Sequence, residues 1–171
     1  MTSFVQTMNA NPLVLISLVG LLGLLFGSFL NVVIYRLPIM LERRWRAECA
    51  SLEGNGEHNV GETFNLVTPR SRCSHCDAPI SPWQNIPLVS WLLLRGRCHH
   101  CQSPISFQYP AVELLCGVLS AIVAMKFGAG LPLLAALAFT WSLIALSGID
   151  AKTTLLPDDI TLPLIYNHLY I

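Results

Sequence analysis

From Leu13 to Leu37 the chain is one apolar block with no charge before Arg36. About 20 apolar residues cross the hydrocarbon of a bilayer, so this block is long enough to span one. A secretory signal peptide is the rival reading, but it needs a positively charged start and a shorter apolar core. Met1 to Asn11 contains no Lys or Arg, so the block predicts a retained transmembrane helix over 13–37. Gly23 and Gly27 form a G-x-x-x-G within it, with Gly20 on an adjoining face. Small residues at this spacing let a second helix approach closely, although glycine is also simply common in membrane helices.

Two further apolar blocks predict helices over 111–127 and 131–149, separated by Phe127-Gly128-Ala129-Gly130. A fourth, over 160–171, holds about 12 residues, too few to cross. Ending a helix inside the membrane leaves carbonyls unpaired in lipid, so this segment lies at the interface or the chain is a fragment. Composition agrees: 53% of residues are hydrophobic and 12% charged, about half the charged fraction of a soluble domain. The formal net charge is zero, and nothing in it points to nucleic acid.

Eight of the ten Lys and Arg residues lie between Arg36 and Arg97. The positive-inside rule puts the segment 38–109 in the cytoplasm, the N-terminus and Gly128–Gly130 outside, and Asp150 at the cytoplasmic membrane face. The predicted architecture is an all-α polytopic membrane protein with a small cytoplasmic zinc-ribbon-like lobe at about 70–106, followed from 110 to 171 by the start of a membrane domain.

Within the cytoplasmic segment, Ser51 to Gly61 is rich in Gly, Asn and Glu and reads as a mobile loop. Beyond it lies an internal repeat. Arg70-Ser-Arg-Cys-Ser-His-Cys-Asp-Ala-Pro-Ile-Ser81 matches Arg95-Gly-Arg-Cys-His-His-Cys-Gln-Ser-Pro-Ile-Ser106 at eight of twelve positions. Each copy contributes one C-x-x-C: Cys73 with Cys76, and Cys98 with Cys101. Two such pairs about 20 residues apart have the spacing of a four-thiolate zinc site, closed and therefore structural. A lobe this small would depend on the metal to fold. Disulfides compete with this reading, although the cytosol keeps thiols reduced. Redox activity also competes, although no βαβ pattern surrounds the pairs. His75, His99 and His100 are spare potential ligands. Cys49 and Cys116 have no partner at metal spacing. The intervening Trp83–Leu94 is amphipathic and either packs on the lobe or lies in the membrane interface.

Charges at membrane depth are costly and usually functional, so the few carboxylates near the apolar blocks stand out. Asp150 follows the third block directly and is either a functional acid or an ordinary polar residue where a helix meets water. Asp158 and Asp159 suit the start of the next helix, where carboxylates are stabilised. Glu113, three residues past Pro110, is either a functional acid or a first-turn acid. A lone aspartate cannot run aspartic-protease chemistry, which needs one carboxylate as base and another as acid.

Four stretches together resemble the type IV prepilin peptidases, the leader peptidase/N-methyltransferases. They are Gly27-Ser-Phe-Leu-Asn-Val-Val-Ile-Tyr-Arg-Leu-Pro38, the paired Cys repeats with Asn85-Ile-Pro-Leu-Val-Ser-Trp91, Tyr109-Pro-Ala-Val-Glu-Leu-Leu115, and Gly148-Ile-Asp-Ala-Lys-Thr-Thr-Leu-Leu-Pro-Asp158. The resemblance implies a bacterial inner-membrane aspartic endopeptidase of the G-x-G-D type. Such an enzyme removes the leader of type IV prepilins or pseudopilins, as in type II secretion, and then methylates the new N-terminus from S-adenosylmethionine. Asp150 is then the first catalytic aspartate. The run Gly128-Ala-Gly-Leu131 lacks the second, so the 171-residue chain is expected to be truncated and inactive alone. A non-enzymatic zinc-stabilised scaffold of a secretion or pilus system and a membrane dithiol–disulfide enzyme are the competing functions.

Overall fold

The computed structural model describes residues 2–52, 64–73, 75–81 and 86–169. Helix α1 (Thr2–Ala10) leads into α2 (Pro12–Leu52). After the cysteine lobe and the short α3 (Val89–Leu93) come α4 (Gln108–Phe127), α5 (Leu131–Thr153) and α6 (Asp158–Leu169). Three of these, α2, α4 and α5, are long and apolar enough to cross a membrane. No β-strand occurs among the described residues, which carry only two isolated bridges in the lobe.

Helix α2 does not stop at Leu37. It runs through Pro38 to Leu52, 41 residues in all, a rod of about 60 Å against a hydrocarbon core of about 30 Å. Proline removes a single helical hydrogen bond. Beyond it, Glu42 with Arg46 and Arg44 with Glu48 pair one turn apart, the latter at 3.0 Å. Ser51 and Leu52, expected in a loop, close this helix; residues 53–63 lie outside the described residues.

Helices α2 and α4 cross in antiparallel contact through glycine. A Cβ on Gly23 would stand 2.5 Å from Ser120 Oγ, and one on Gly27 would stand 2.7 Å from Glu113 Cα. The G-x-x-x-G is therefore the seam itself, with two backbones in near contact. Two apolar clusters stack along the bundle. One joins Leu15, Val19, Ala124, Leu133 and Leu137. The other joins Leu30, Cys116, Ile144 and Ala145. Trp141 belongs to both: it stacks on Phe26 at 3.9 Å and donates from Nε1 to Ser120 Oγ at 2.9 Å. Many large side chains of α2, among them Leu13, Leu18, Leu21, Leu25 and Phe29, face outward, as lipid-facing positions do.

The turn between α4 and α5 is held by α1. Gly128 ends α4 at φ 62°, a left-handed conformation that favours glycine. Asn9 grips the next residue from both sides, accepting from Ala129 N–H at 2.7 Å and donating to its carbonyl at 3.3 Å.

Candidate functional site

The sequence repeat becomes a structural repeat. In the first copy Cys73 N–H donates to Ala78 O at 3.0 Å, Asp77 N–H to Cys73 O at 3.0 Å, and Ile80 N–H to Ser71 O at 2.9 Å. In the second, Cys98 N–H donates to Ser103 O at 2.9 Å, Gln102 N–H to Cys98 O at 3.0 Å, and Ile105 N–H to Gly96 O at 2.7 Å. Asp77 and Gln102 occupy the same left-handed corner, at φ 54° and 58°. Each copy is thus one tight knuckle that turns two sulfurs to the same side.

The two knuckles face each other. The sulfurs of Cys73, Cys76, Cys98 and Cys101 all lie within 4.8 Å of one another. Cys73 Sγ and Cys101 Sγ are 3.8 Å apart, the edge length of a tetrahedron with metal–sulfur bonds of about 2.3 Å. The four residues therefore fit a metal ion. His75, His99 and His100 are not part of this group.

The electrostatics of the four thiols point the same way. Backbone N–H groups of His75 and Cys76 aimed at Cys73 bring it down to about 6. The Ser103 hydroxyl and N–H lower Cys101. Cys76 also receives a backbone hydrogen bond, from Ala78, but desolvation and the sulfurs of Cys101, Cys73 and Cys98 outweigh it and push Cys76 up to about 12. Without a cation, thiolates this close cannot all ionise; a divalent ion removes that conflict. Cys49 is exposed and Cys116 buried, away from the group.

The linker between the knuckles packs on the lobe where it is described. Trp91 of α3 meets Phe107 edge-on at 5.8 Å. The Trp91 indole also lies against Gly96. Trp83 lies outside the described residues.

Asp150 stands in the last turn of α5 with its side chain exposed. Its carbonyl accepts from Thr154 N–H at 2.9 Å, the left-handed cap that ends the helix at φ 52°. Two residues earlier, Gly148 is pressed against Ile34 of α2: a Cβ there would meet Ile34 Cδ1 at 2.5 Å. Two residues later, Lys152 Nζ lies 5.9 Å from the Tyr35 ring. Asp150 is therefore at the end of the bundle where α2 emerges toward the cysteine lobe. Asp158 and Asp159 occupy the first turn of α6. With Leu41, Arg44, Trp45, Glu48 and residues 155–157 they line a cleft of about 230 Å³ between α2 and the α5–α6 loop.

Two buried charges were not assigned these partners by the sequence. Arg36 is 7% exposed and donates to Asn65 O at 2.9 Å and Pro69 O at 2.6 Å. Glu113 is 8% exposed and accepts from Leu88 N–H at 2.8 Å, with the Ser28 hydroxyl on the same carboxyl group. Glu113 is thus not a free first-turn acid. The available signal was a lone charge inside an apolar run, which marks a residue that must find a partner but does not say which.

A family model described as the bacterial peptidase A24 N-terminal domain matches residues 21–127. A prepilin leader peptidase/N-methyltransferase of Stutzerimonas stutzeri is 48% identical over 162 residues, 95% of this chain and 56% of that protein. One of Aeromonas hydrophila is 52% identical over 170 residues, 99% of this chain and 59% of its own length. One of Pseudomonas aeruginosa is 48% identical over 157 residues, 92% and 54% respectively. No solved structure matches. The chain spans between half and two thirds of the length of these relatives. With a membrane-helix bundle, a four-cysteine lobe and a family match over most of its length, the chain belongs to the bacterial peptidase A24 family, whose N-terminal domain it carries.

Proposed function

We propose that this chain is the N-terminal portion of an inner-membrane aspartic endopeptidase that cleaves the leader from type IV prepilins or pseudopilins, with Asp150 as one of its two catalytic carboxylates. The observation that carries the reading is the setting of Asp150. It is an exposed acid at the lobe end of a membrane helix, braced from behind by the Ile34–Gly148 contact. Relatives that align with nearly all of this chain are named for the same activity, which supports the reading.

In this chemistry one carboxylate takes a proton from water while the other donates one to the scissile amide. Asp150 supplies one group, and the resemblance puts its partner in a G-x-G-D run. The resemblance and the relatives' names support N-methylation of the new N-terminus, and the resemblance alone names S-adenosylmethionine as the donor. The four cysteines hold a structural zinc ion, with no open position for a reactant.

The test is a cleavage assay of the full-length protein in detergent with a short prepilin substrate. Asp150→Asn keeps size and polarity but removes the ionisable group, and it should abolish cleavage, since members of such a dyad act as a unit. Methylation of a precleaved pilin should persist. Full cleavage by the Asn variant would show that Asp150 is not catalytic.

A further inference from the structure

Arg36 and Glu113 share an unusual property. Both are buried, at 7% and 8% exposure, yet no carboxylate lies within ion-pair distance of Arg36, and no cation within that distance of Glu113, among the described residues. Arg36 spends its charge on backbone of the cysteine segment, and Glu113 on such backbone together with the Ser28 hydroxyl. Arg36 binds two carbonyls, those of Asn65 and Pro69, immediately before the first knuckle. Its guanidinium also lies 5.6 Å from the Phe64 ring. Glu113 binds the N–H of Leu88, the residue that leads into α3 between the knuckles. A hydrogen bond to a charged group is worth about twice a neutral one, and stripping its partner from a buried charge is costly. The lobe is therefore gripped at two places, from α2 and from α4.

Both grips fall on structurally stiff points. Glu113 sits where its own Cα faces Gly27 across the α2–α4 seam. Asn31 adds a tie there, donating to Tyr109 O at 3.0 Å. Arg36 is two residues from Ile34, which is 1% exposed and seats Gly148 of the Asp150 helix. One turn of α2 thus bears the lobe on one side and the Asp150 helix on the other.

We propose that Arg36 and Glu113 are positioning residues that dock the cysteine lobe onto the membrane helices in fixed register with Asp150, so that a substrate touching both meets them at one set spacing. The reaction at Asp150 is taken from the function proposed above; the docking itself stands without it. A rigid second contact contributes uniform binding, so its loss shows in KM rather than kcat.

The experiment is amide hydrogen exchange on the full-length protein in nanodiscs, comparing native, Glu113→Ala, Glu113→Gln and Arg36→Met. Glu113→Ala should speed exchange in residues 86–94 by about tenfold or more. Arg36→Met should do the same in residues 64–73. Glu113→Gln retains an acceptor oxygen and should restore protection. Bound metal and exchange in 131–153 should match the native protein, which separates undocking from unfolding. With a short prepilin substrate, Glu113→Ala should raise KM about fivefold or more, with most of kcat retained and KM rescued in Glu113→Gln. Unaltered exchange in the Ala and Met variants, or a Gln variant that exchanges as fast as Ala, would overturn the docking. Faster exchange with native KM would overturn the positioning role and leave the peptidase reading intact. Failure of the native protein to cleave would sink that reading alone, and the exchange comparison would still decide the docking.

Discussion

The α2–α4 seam predicts that one substitution, glycine to alanine, has opposite effects at three neighbouring positions. A Cβ on Gly20 would sit 3.5 Å from Ala121 Cβ and 3.7 Å from Gly117 O, ordinary contact. On Gly23 it would sit 2.5 Å from Ser120 Oγ, 2.7 Å from Ser120 Cβ and 2.8 Å from Cys116 O. On Gly27 it would sit 2.7 Å from Glu113 Cα and 3.2 Å from Glu113 O. Carbon atoms pack at about 3.5–4.0 Å, so Gly27→Ala must part the backbones by close to 1 Å. Ser120 has little freedom to turn aside, because it is fully buried and receives the Trp141 hydrogen bond. Overpacking of this kind costs about 1–3 kcal/mol, while alanine gains up to about 1 kcal/mol over glycine in helix propensity. The expected order is Gly20→Ala neutral or stabilising, Gly23→Ala destabilising, and Gly27→Ala the most damaging, with roughly 2 kcal/mol between the ends. The double variant Gly23→Ala/Gly27→Ala should cost less than the sum, because helices already parted by one methyl accept the second. Reversible unfolding of the purified protein in mixed micelles, titrated with SDS and followed by circular dichroism, measures all four. Equal effects at the three glycines, or the greatest loss at Gly20, would refute a seam built on close backbone approach.

Three further outcomes follow. Metal analysis should find one zinc per chain, and Cys73→Ser with Cys98→Ser should release it and leave the lobe open to protease; purified reduced protein without zinc would end this reading. Chelating the metal should expose Cys73, Cys76, Cys98 and Cys101 to alkylation that the loaded protein resists; equal alkylation rates with and without the metal would argue against an ion held by these four sulfurs. A cysteine placed at Ala129 should react with an impermeant maleimide in intact cells, while one at Ser51 should not; the reverse pattern would invert the orientation taken from the arginines.

The parts of this structure written in short-range pattern were legible from sequence. Three apolar runs gave three spanning helices, and the C-x-x-C repeat gave the sulfur tetrad, because hydropathy and ligand spacing are local properties. The apolar block ends at Leu37, but the helix does not end with it. Its continuation depends on the Glu42–Arg46 and Arg44–Glu48 pairs and on packing that holds a helix across one lost hydrogen bond. Whether Gly23 and Gly27 formed an interface could not be decided from composition, since only a facing Ser120 or Glu113 distinguishes a seam from a lipid-facing stripe. Arg36 and Glu113 show the same limit. Their partners are backbone groups 29 and 25 residues away, and a backbone carbonyl or N–H leaves no mark in the sequence.

The unbroken passage of α2 through Pro38 also has a mechanical side. The 15 residues from Pro38 to Leu52 make a stiff arm of about 22 Å beyond the apolar block. A bend of about 10° at Pro38 would swing the tip at Leu52 sideways by about 4 Å. Leu41, Arg44, Trp45 and Glu48 on that arm line the cleft against the loop that follows Asp150. The width of that cleft therefore depends on how straight one helix is: a hinge at Pro38 would set the gap without touching a residue inside it.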